Sequence, residues 1–487
     1  MKTAAEALDI GWKSHQAGDF RGAETIYRQV IKVEPKDANA WCFLGIALHD
    51  QSRYGEAVDA YQQALQLKPN FPVTLSNLGN TYKALGRLDE AVASCNAAIR
   101  LKPDYVTAYN NLGVALVAKG DFVEATEAFN KAVSLNPNNS VSQANLGAAL
   151  CRVNQPAEGE KYSREALRLN PSNAEAHKAI GILALLRGDF ETGWTEYEWR
   201  WKCSAQSLPR YPHPLWDSSP LKGNTVLLHY EQGLGDTIHM IRYAPLIRAT
   251  GGHVVVVCPR SLTSLLGSCA GIDELVPEGS VPPPFHCFLP MLSIPRVMRT
   301  TLDTIPCDVP YLSATPALVE SWREKLGKHS GFKIGIAWQG SRSHHADNQR
   351  SFPLAVFEPL AKIPGVKLFS LQKGFGEEQI AACRSRFEVI EFGDELDGKA
   401  GAFMDTAAIL KNLDLVITAD TSLVHLAGAL AVPTWLVLGV VPDWRWLLNR
   451  EDSPWYPTVR LFRQTKLGNW KSVFERMAGE LAAKLSK

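Results

Sequence analysis

WCFLGIALHDQSRYGEAVDAYQQALQLKPN, residues 41–70, decides the fold of the first part of the chain. Its apolar residues recur at helical spacing in two blocks, and the proline at 69 ends the second block because it has no amide to donate to another turn. Outward from it the same unit returns. Glycines stand at 11, 45, 79, 113, 147 and 181, and prolines at 35, 69, 103, 137 and 171, both series spaced by 34. Trp41, Leu44, Ala57, Tyr61 and Ala64 are answered by Leu75, Leu78, Tyr82, Ala91 and Ala98, then by Tyr109, Leu112, Ala125, Phe129 and Ala132. Small residues let paired helices approach and large ones fill the gaps between units, so the period predicts an α solenoid of about six repeats over residues 4–201. The fifth unit is weaker, with Gly159 and Ser163 in place of alanine and an aromatic. The sixth runs into GWTEYEWRWK, whose Trp194, Trp199 and Trp201 are expected to cap the array.

Residues 202–222, including CSAQSLPRYPHPLWDSSPLK, are rich in proline and serine and read as a linker. Beyond it short β-branched runs alternate with helical segments: TVLLHY (225–230), HVVVVC (253–258), KIGIAW (333–338), VKLFSL (366–371), LDLVITA (413–419) and TWLVLG (434–439). Apolar strands separated by helices imply parallel sheets covered on both faces. Because KIGIAW restarts the pattern after a helical stretch at 316–328, two α/β lobes are expected, at 223–328 and 329–487, the second ending in a helix.

With 51 basic and 50 acidic residues the chain has no global field to hold nucleic acid. Nine scattered cysteines, with no C-x-x-C, fit a reducing compartment better than a disulfide framework or a zinc site. The start, MKTAAEALDIGWKSHQAGD, is amphipathic, and no run approaches a transmembrane length, so a soluble cytoplasmic protein is expected.

Four constellations could carry chemistry. The first strand runs into EQGLGD, where Gly233 and Gly235 allow a close backbone approach and Asp236 sits at a helix start, either as a working carboxylate or as a cap. In LDLVITADTSLVHLAGAL, Asp420, Thr421 and Ser422 precede a helix whose free amides and dipole suit a diphosphate. His425, a turn further on, is either part of that site or a satisfied core histidine. The loop 335–351 brings Arg350 toward phosphate oxygens, while its His344, His345 and Asp347 read as a solvated loop in preference to metal ligands. Gln372, after the next strand, could bond a ribose or sugar hydroxyl or simply serve a turn. DWRWLLNREDSPWYP, 443–457, is dense in aromatics that pack a core in preference to stacking on a sugar. There is no P-loop, no G-x-S-x-G, no H-E-x-x-H and no D-x-D, so no metal site or bound cofactor is expected.

The first part of the chain looks like tetratricopeptide repeats. Residues 224 to about 465 resemble the ADP-heptose:lipopolysaccharide heptosyltransferase family through EQGLGDTIHMIRYAPL, DNQRSFPL, DTAAILKNLDLVITADTSLVHLAGAL and DSPWYP. That resemblance implies a GT-B region of two Rossmann-like lobes and an inverting, metal-independent glycosyltransferase using a nucleotide-sugar. It makes Asp236 the general base on the loop of Gly233 and Gly235, and puts Thr421, Ser422, His425, Arg350 and Gln372 on the donor; at Gln372 the family often carries an acidic residue. Repeats joined to a GT-B region are similar in architecture to O-linked N-acetylglucosamine transferase. Asn77, Asn111 and Asn145 recur at one position of three units, where such a ladder would hold a protein partner on the concave face. The alternatives are an interaction scaffold with an inactive transferase-like region and an envelope-glycan transferase.

Overall fold

The structure is a computed structural model and describes residues 3–203, 207–341, 347–398 and 400–486. It divides into two compact units, Met1–Ala179 and Ile180–Lys487.

The first unit consists of antiparallel helix pairs: Ala4–Gln16 with Phe20–Val33, Ala38–Asp50 with Tyr54–Leu67, Pro72–Ala84 with Leu88–Leu101, Val106–Lys119 with Phe122–Leu135, and Ser140–Arg152 with Pro156–Leu169. In the first, second and fourth pairs the periodic glycine faces an aromatic ring of its partner helix, and in the third Gly79 faces Cys95. A methyl group at Gly45 would come within 2.5 Å of the Tyr61 ring, and one at Gly113 within 2.5 Å of Phe129. The fifth pair closes further. Ser163 replaces the aromatic, and the backbones at Gly147 and Gly159 approach until a methyl on either would lie 2.7 Å from the other's carbonyl oxygen. Loss of the aromatic is thus compensated by a nearer helix.

A further helix pair, Ala174–Arg187 with Phe190–Tyr197, continues the period, Gly181 lying against the Tyr197 backbone, and the chain from Ile180 onward falls in the second compact unit. Side-chain contacts explain that placement. Trp194 donates through Nε1 to the carbonyl of Thr300, Phe190 packs against Trp455, and Arg200 pairs with Glu231. These tryptophan-rich residues are therefore core of the α/β unit.

That unit contains two parallel sheets. The first has order β3-β2-β1-β4, with β1 Thr225–His229, β2 His253–Cys258, β3 Glu274–Pro277 and β4 Cys287–Pro290. The second has order β6-β5-β7-β8-β9, with β5 Phe332–Ala337, β6 Val366–Ser370, β7 Leu415–Ala419, β8 Thr434–Leu438 and β9 Val459–Arg463. Helices cover these sheets, the last being Trp470–Leu485, whose Phe474, Met477 and Leu481 pack with Ile334 and Ile336. This is the expected α solenoid followed by an α/β region with a Rossmann-like arrangement.

The sequence pattern finds β1, β2 and β5–β8 but passes over β3, β4 and β9. All three are sheet edges, where one side makes no ladder and the apolar signal is diluted, as in ELVP and VRLFR. The segment read as a linker is also structured at its end. Trp216 N–H donates to the carbonyl of Phe288, Phe288 N–H donates to the carbonyl of Pro214, and Trp216 and Leu221 are buried. Its prolines suit a sheet edge, where no amide is needed on the outer side. The long helix expected after β1 is broken into Leu234–Met240, a 3-10 turn and Ala244–Arg248, at the point where Pro245 cannot donate. The helix Pro316–Gly327, expected to close the first lobe, packs on Met404–Leu410 through a 2.8 Å bond from Trp322 Nε1 to Asp405.

Candidate functional site

Strands β1 and β7 lie inside their sheets, and each delivers its C-terminal end to a helix start, the place where open parallel sheets bind ligands. After β1 the chain turns through Glu231–Gly233 into Leu234–Met240. After β7 it turns through Asp420 and Thr421 into Ser422–Ala429. These two helices pack together. A methyl group at Gly235 would lie 2.8 Å from the His425 ring and 3.3 Å from Ser422 Cα, so the close approach depends on glycine at this position. Two motifs almost 190 residues apart in the chain thus share one crevice.

Asp236 occupies the third position of its helix. One carboxylate oxygen accepts from Gly233 N–H at 2.8 Å, the other from Arg445 Nη2 at 2.5 Å, and the side chain retains 20% exposure. Asp236 thus caps the turn, the second of the two readings, and keeps part of its side chain exposed beside the facing helix. Burial pushes its carboxyl above the ordinary range, while the charge of Arg445 and the Gly233 amide oppose that rise. Arg445 also donates through Nη1 to Asp443 at 2.9 Å and lies over the Trp444 ring.

On the facing side, Thr421 caps Ser422–Ala429, its side chain accepting from Leu423 N–H at 3.4 Å and its carbonyl from Val424 N–H at 3.3 Å, at the positive end of the helix dipole. Asp420 accepts from Trp446 Nε1 at 2.9 Å, and Arg350 donates to the Asp420 carbonyl at 3.1 Å. Burial, reinforced by the charge of Asp443, raises the Asp420 carboxyl to about 7 against the pull of the Trp446 bond, Arg350 and Arg445. Arg350 is thus brought to the same turn as Thr421 and Ser422, as expected. Asp347 is held by Arg350 at 3.3 Å and by Ser351 at 2.8 Å, the bonds of a folded loop. His344 and His345 lie outside the described residues. Among those described, no group of three or more His, Cys, Asp or Glu is placed to hold a metal ion.

Two expected donor residues take other duties. Gln372 accepts from Trp338 and Gln339 amides at 3.1 and 3.0 Å and donates to the carbonyls of Gln339 and Phe375 at 2.9 and 2.7 Å. All four of its bonding positions serve the chain, so it fastens the loop after β5 to the loop after β6 and has none left for a ribose. His425 is buried, stacked on Trp446, and bonded through Nδ1 to the Tyr456 hydroxyl at 3.0 Å. That hydroxyl also meets His239 Nδ1 at 2.9 Å, so one tyrosine joins histidines from both helices. His425 is therefore core and crevice wall together.

Burial first, then the guanidiniums of Arg242 and Arg445, push both histidines well below their ordinary value of 6.5. In the unfolded chain each takes a proton near pH ~6.5, whereas in the fold it stays neutral. The unfolded state binds more protons as pH falls, so stability declines on acidification through that range. Urea unfolding of the second unit, followed by tryptophan fluorescence, should show its midpoint falling from about pH 7 to about pH 5. The fall should be smaller in His239→Asn and His425→Asn.

Arg445, Asp443 and Asp420 are the site residues that sequence reasoning undervalued. The signal was the arginine set between two tryptophans in DWRW, since a cation among buried aromatics needs carboxylates from elsewhere. Asn77, Asn111 and Asn145 lie in the first unit, each half-buried at the same helical position. Asn111 Nδ2 donates to Ser76 Oγ at 3.0 Å and to the Ser76 carbonyl, linking neighbouring repeats. One rung of the expected ladder is thus engaged in the solenoid itself.

Comparison with known proteins supports the repeats. Families described as tetratricopeptide repeat or TPR repeat match residues 15–72, 60–93, 79–120, 106–139 and 145–193. The N-terminal part of the chain is built of tetratricopeptide repeats. Protein FlbA of Caulobacter vibrioides is 30% identical over 329 residues, which are 62% of this chain and 54% of FlbA, so the chain spans about half the length of that relative. Among solved structures, MamA protein is 26% identical and covers 35% of this chain and 94% of its own, at a TM-score of 0.30. A thermophilic TPR protein of Thermus thermophilus is 18% identical over 38% of this chain and all of its own, at a TM-score of 0.35. Among the described residues no helix is long and apolar enough to cross a membrane.

Proposed function

We propose that the protein is an inverting, metal-independent glycosyltransferase of the cytoplasm that moves a sugar from a nucleotide-sugar to a protein held by its repeats. The observation that carries the reading is the convergence of Asp236 with the helix start at 420–425 in one crevice, with Gly235 against Ser422 and His425. In this reading Asp236 takes the proton of an acceptor hydroxyl as its oxygen attacks the anomeric carbon. The bond from that carbon to the diphosphate oxygen breaks, and its electron pair leaves with the nucleoside diphosphate. The amides of Ser422–Ala429 and the Arg350 guanidinium offset the charge gathering on the leaving group. The transferred sugar arrives with inverted configuration because attack and departure are on opposite faces.

The repeats supply the partner side of the reading. Tetratricopeptide arrays present stacked helices to peptides and proteins, and Asn77, Asn111 and Asn145 stand along one helical row, Asn111 keeping its oxygen for a partner while its amide NH2 is held by Ser76. The test is transfer from a panel of nucleotide-sugars to cellular proteins, read as mass shifts. Activity on proteins that falls in the triple Asn77→Ala, Asn111→Ala, Asn145→Ala variant supports the full reading. Modification confined to lipopolysaccharide moves the acceptor to an envelope glycan. Absence of both hydrolysis and transfer with every donor sinks the enzyme reading. A scaffold with an inactive crevice is favoured by one observation, the hold of Arg445 on Asp236, since an ion-paired carboxylate is a poor base.

A further inference from the structure

That hold points to how the crevice works. Arg445 is nine-tenths buried, its side chain 7% exposed, and it is divided between two carboxylates from different places. Nη2 reaches Asp236 at the end of the first sheet, and Nη1 reaches Asp443, two residues before it. Its Nε–H is buried without a partner. A desolvated guanidinium with an idle donor is an unfinished arrangement, because a buried donor that meets no acceptor loses its water without compensation. The surroundings say what would complete it. Arg445 is set between Trp444 and Trp446; Trp446 bonds Asp420 beside the helix start, and Arg350 reaches that same turn. Two guanidiniums and a helix start therefore gather where three carboxylates, Asp236, Asp420 and Asp443, also sit. A bidentate phosphate oxygen pair competes with carboxylates for a guanidinium fork on equal terms, and a diphosphate brings more charge than either.

We propose that Arg445 is a positioning residue that couples donor binding to base release: the diphosphate of the donor draws the guanidinium from Asp236, whose carboxylate then turns to the acceptor. The proposal rests on the transferase reading for the identity of the donor, and on the ion pairs for the switch. It explains how one aspartate serves as a helix cap and ion-pair partner of Arg445 and also as a base once the donor is bound. The order of events follows. An acceptor bound first meets a carboxylate that is not free, so hydroxyl activation waits for the sugar donor and wasteful deprotonation is avoided.

The experiment measures two things on the full chain: calorimetric binding of UDP, ADP, GDP and inorganic pyrophosphate, and carbodiimide labelling of Asp236 read by mass spectrometry. Wild type should bind a diphosphate, and labelling of Asp236 should rise on its addition. Arg445→Lys keeps the charge but loses the fork, and should weaken diphosphate binding on the order of tenfold or more. Arg445→Ala should bind still less and label at Asp236 without any ligand, whereas the affinity for uncharged nucleosides stays unchanged. Equal diphosphate affinity in wild type and both folded variants, or labelling that ignores the ligand, overturns the switch while leaving the transferase reading intact. Pyrophosphate binding that depends on Arg445, with no nucleotide bound and no sugar transferred, keeps the switch and sinks the transferase reading. Absence of any diphosphate binding to wild type overturns both.

Discussion

Asp236→Asn is expected to lower sugar transfer by about 10²–10⁴-fold while nucleoside diphosphate binding is kept or tightened, because the guanidinium of Arg445 then has one carboxylate fewer to leave. Asparagine keeps the size of the side chain and one oxygen for the Arg445 bond, gives up the acceptor for Gly233 N–H, and cannot take the acceptor proton. The loss should fall on kcat. Initial rates at saturating donor and acceptor, with calorimetry of the diphosphate on the same preparation, separate this from a general collapse. Equal rates in wild type and variant would remove Asp236 from the chemistry. A scaffold would keep its cellular role in the variant, so complementation of a deletion strain distinguishes the two.

Arg200→Ala is expected to destabilise the second unit by roughly 3–5 kcal/mol, the cost of leaving a buried carboxylate without its partner. Arg200 is fully buried; it donates to both oxygens of Glu231 at 3.0 Å, to Ser293 Oγ at 2.7 Å and to Glu198 at 2.8 Å. Glu231 also accepts from Leu292 N–H at 2.7 Å, and burial pushes its carboxyl upward even with the arginine present. Without Arg200 that upward push is unopposed, the native state holds a proton more readily than the unfolded chain, and the destabilisation should shrink as pH falls toward the carboxyl range. Guanidinium chloride unfolding at two pH values reads both effects. Combining Arg200→Met with Glu231→Leu should recover part of the loss, since the buried Glu231 charge is removed with its partner and the carboxylate still left without Arg200, Glu198, is 23% exposed. Because Glu231 precedes the turn bearing Asp236, the single variant should also lower transfer beyond its effect on folding.

Local patterns were legible along most of the chain. The helix pairs followed from glycines and prolines that keep one register, and six strands followed from apolar runs buried on both faces. What escaped was set by neighbours that sequence spacing does not reveal. β3, β4 and β9 are short strands at the edges of their sheets, and the stretch around Trp216 is held by backbone bonds to Phe288 on the outer side of β4. Gln372 looked like a ligand for sugar hydroxyls since glutamine at a strand end can serve either purpose; its duty depends on the loop after β5, which comes 33 residues earlier.

The candidate site divides in the same way. By itself the sequence determined the repeats, the alternation of strand and helix, and the two turns that carry Asp236 and the 420–425 helix start, because each is a property of residues near one another in the chain. Tertiary structure alone decided that these turns meet, that the chain from Ile180 onward packs within the second unit, and that Arg445 grips an aspartate 209 residues away. Period and propensity act over a helical turn or a strand pair. An ion pair forms only after two sheets have closed upon it, and burial then gives it the strength that makes it matter.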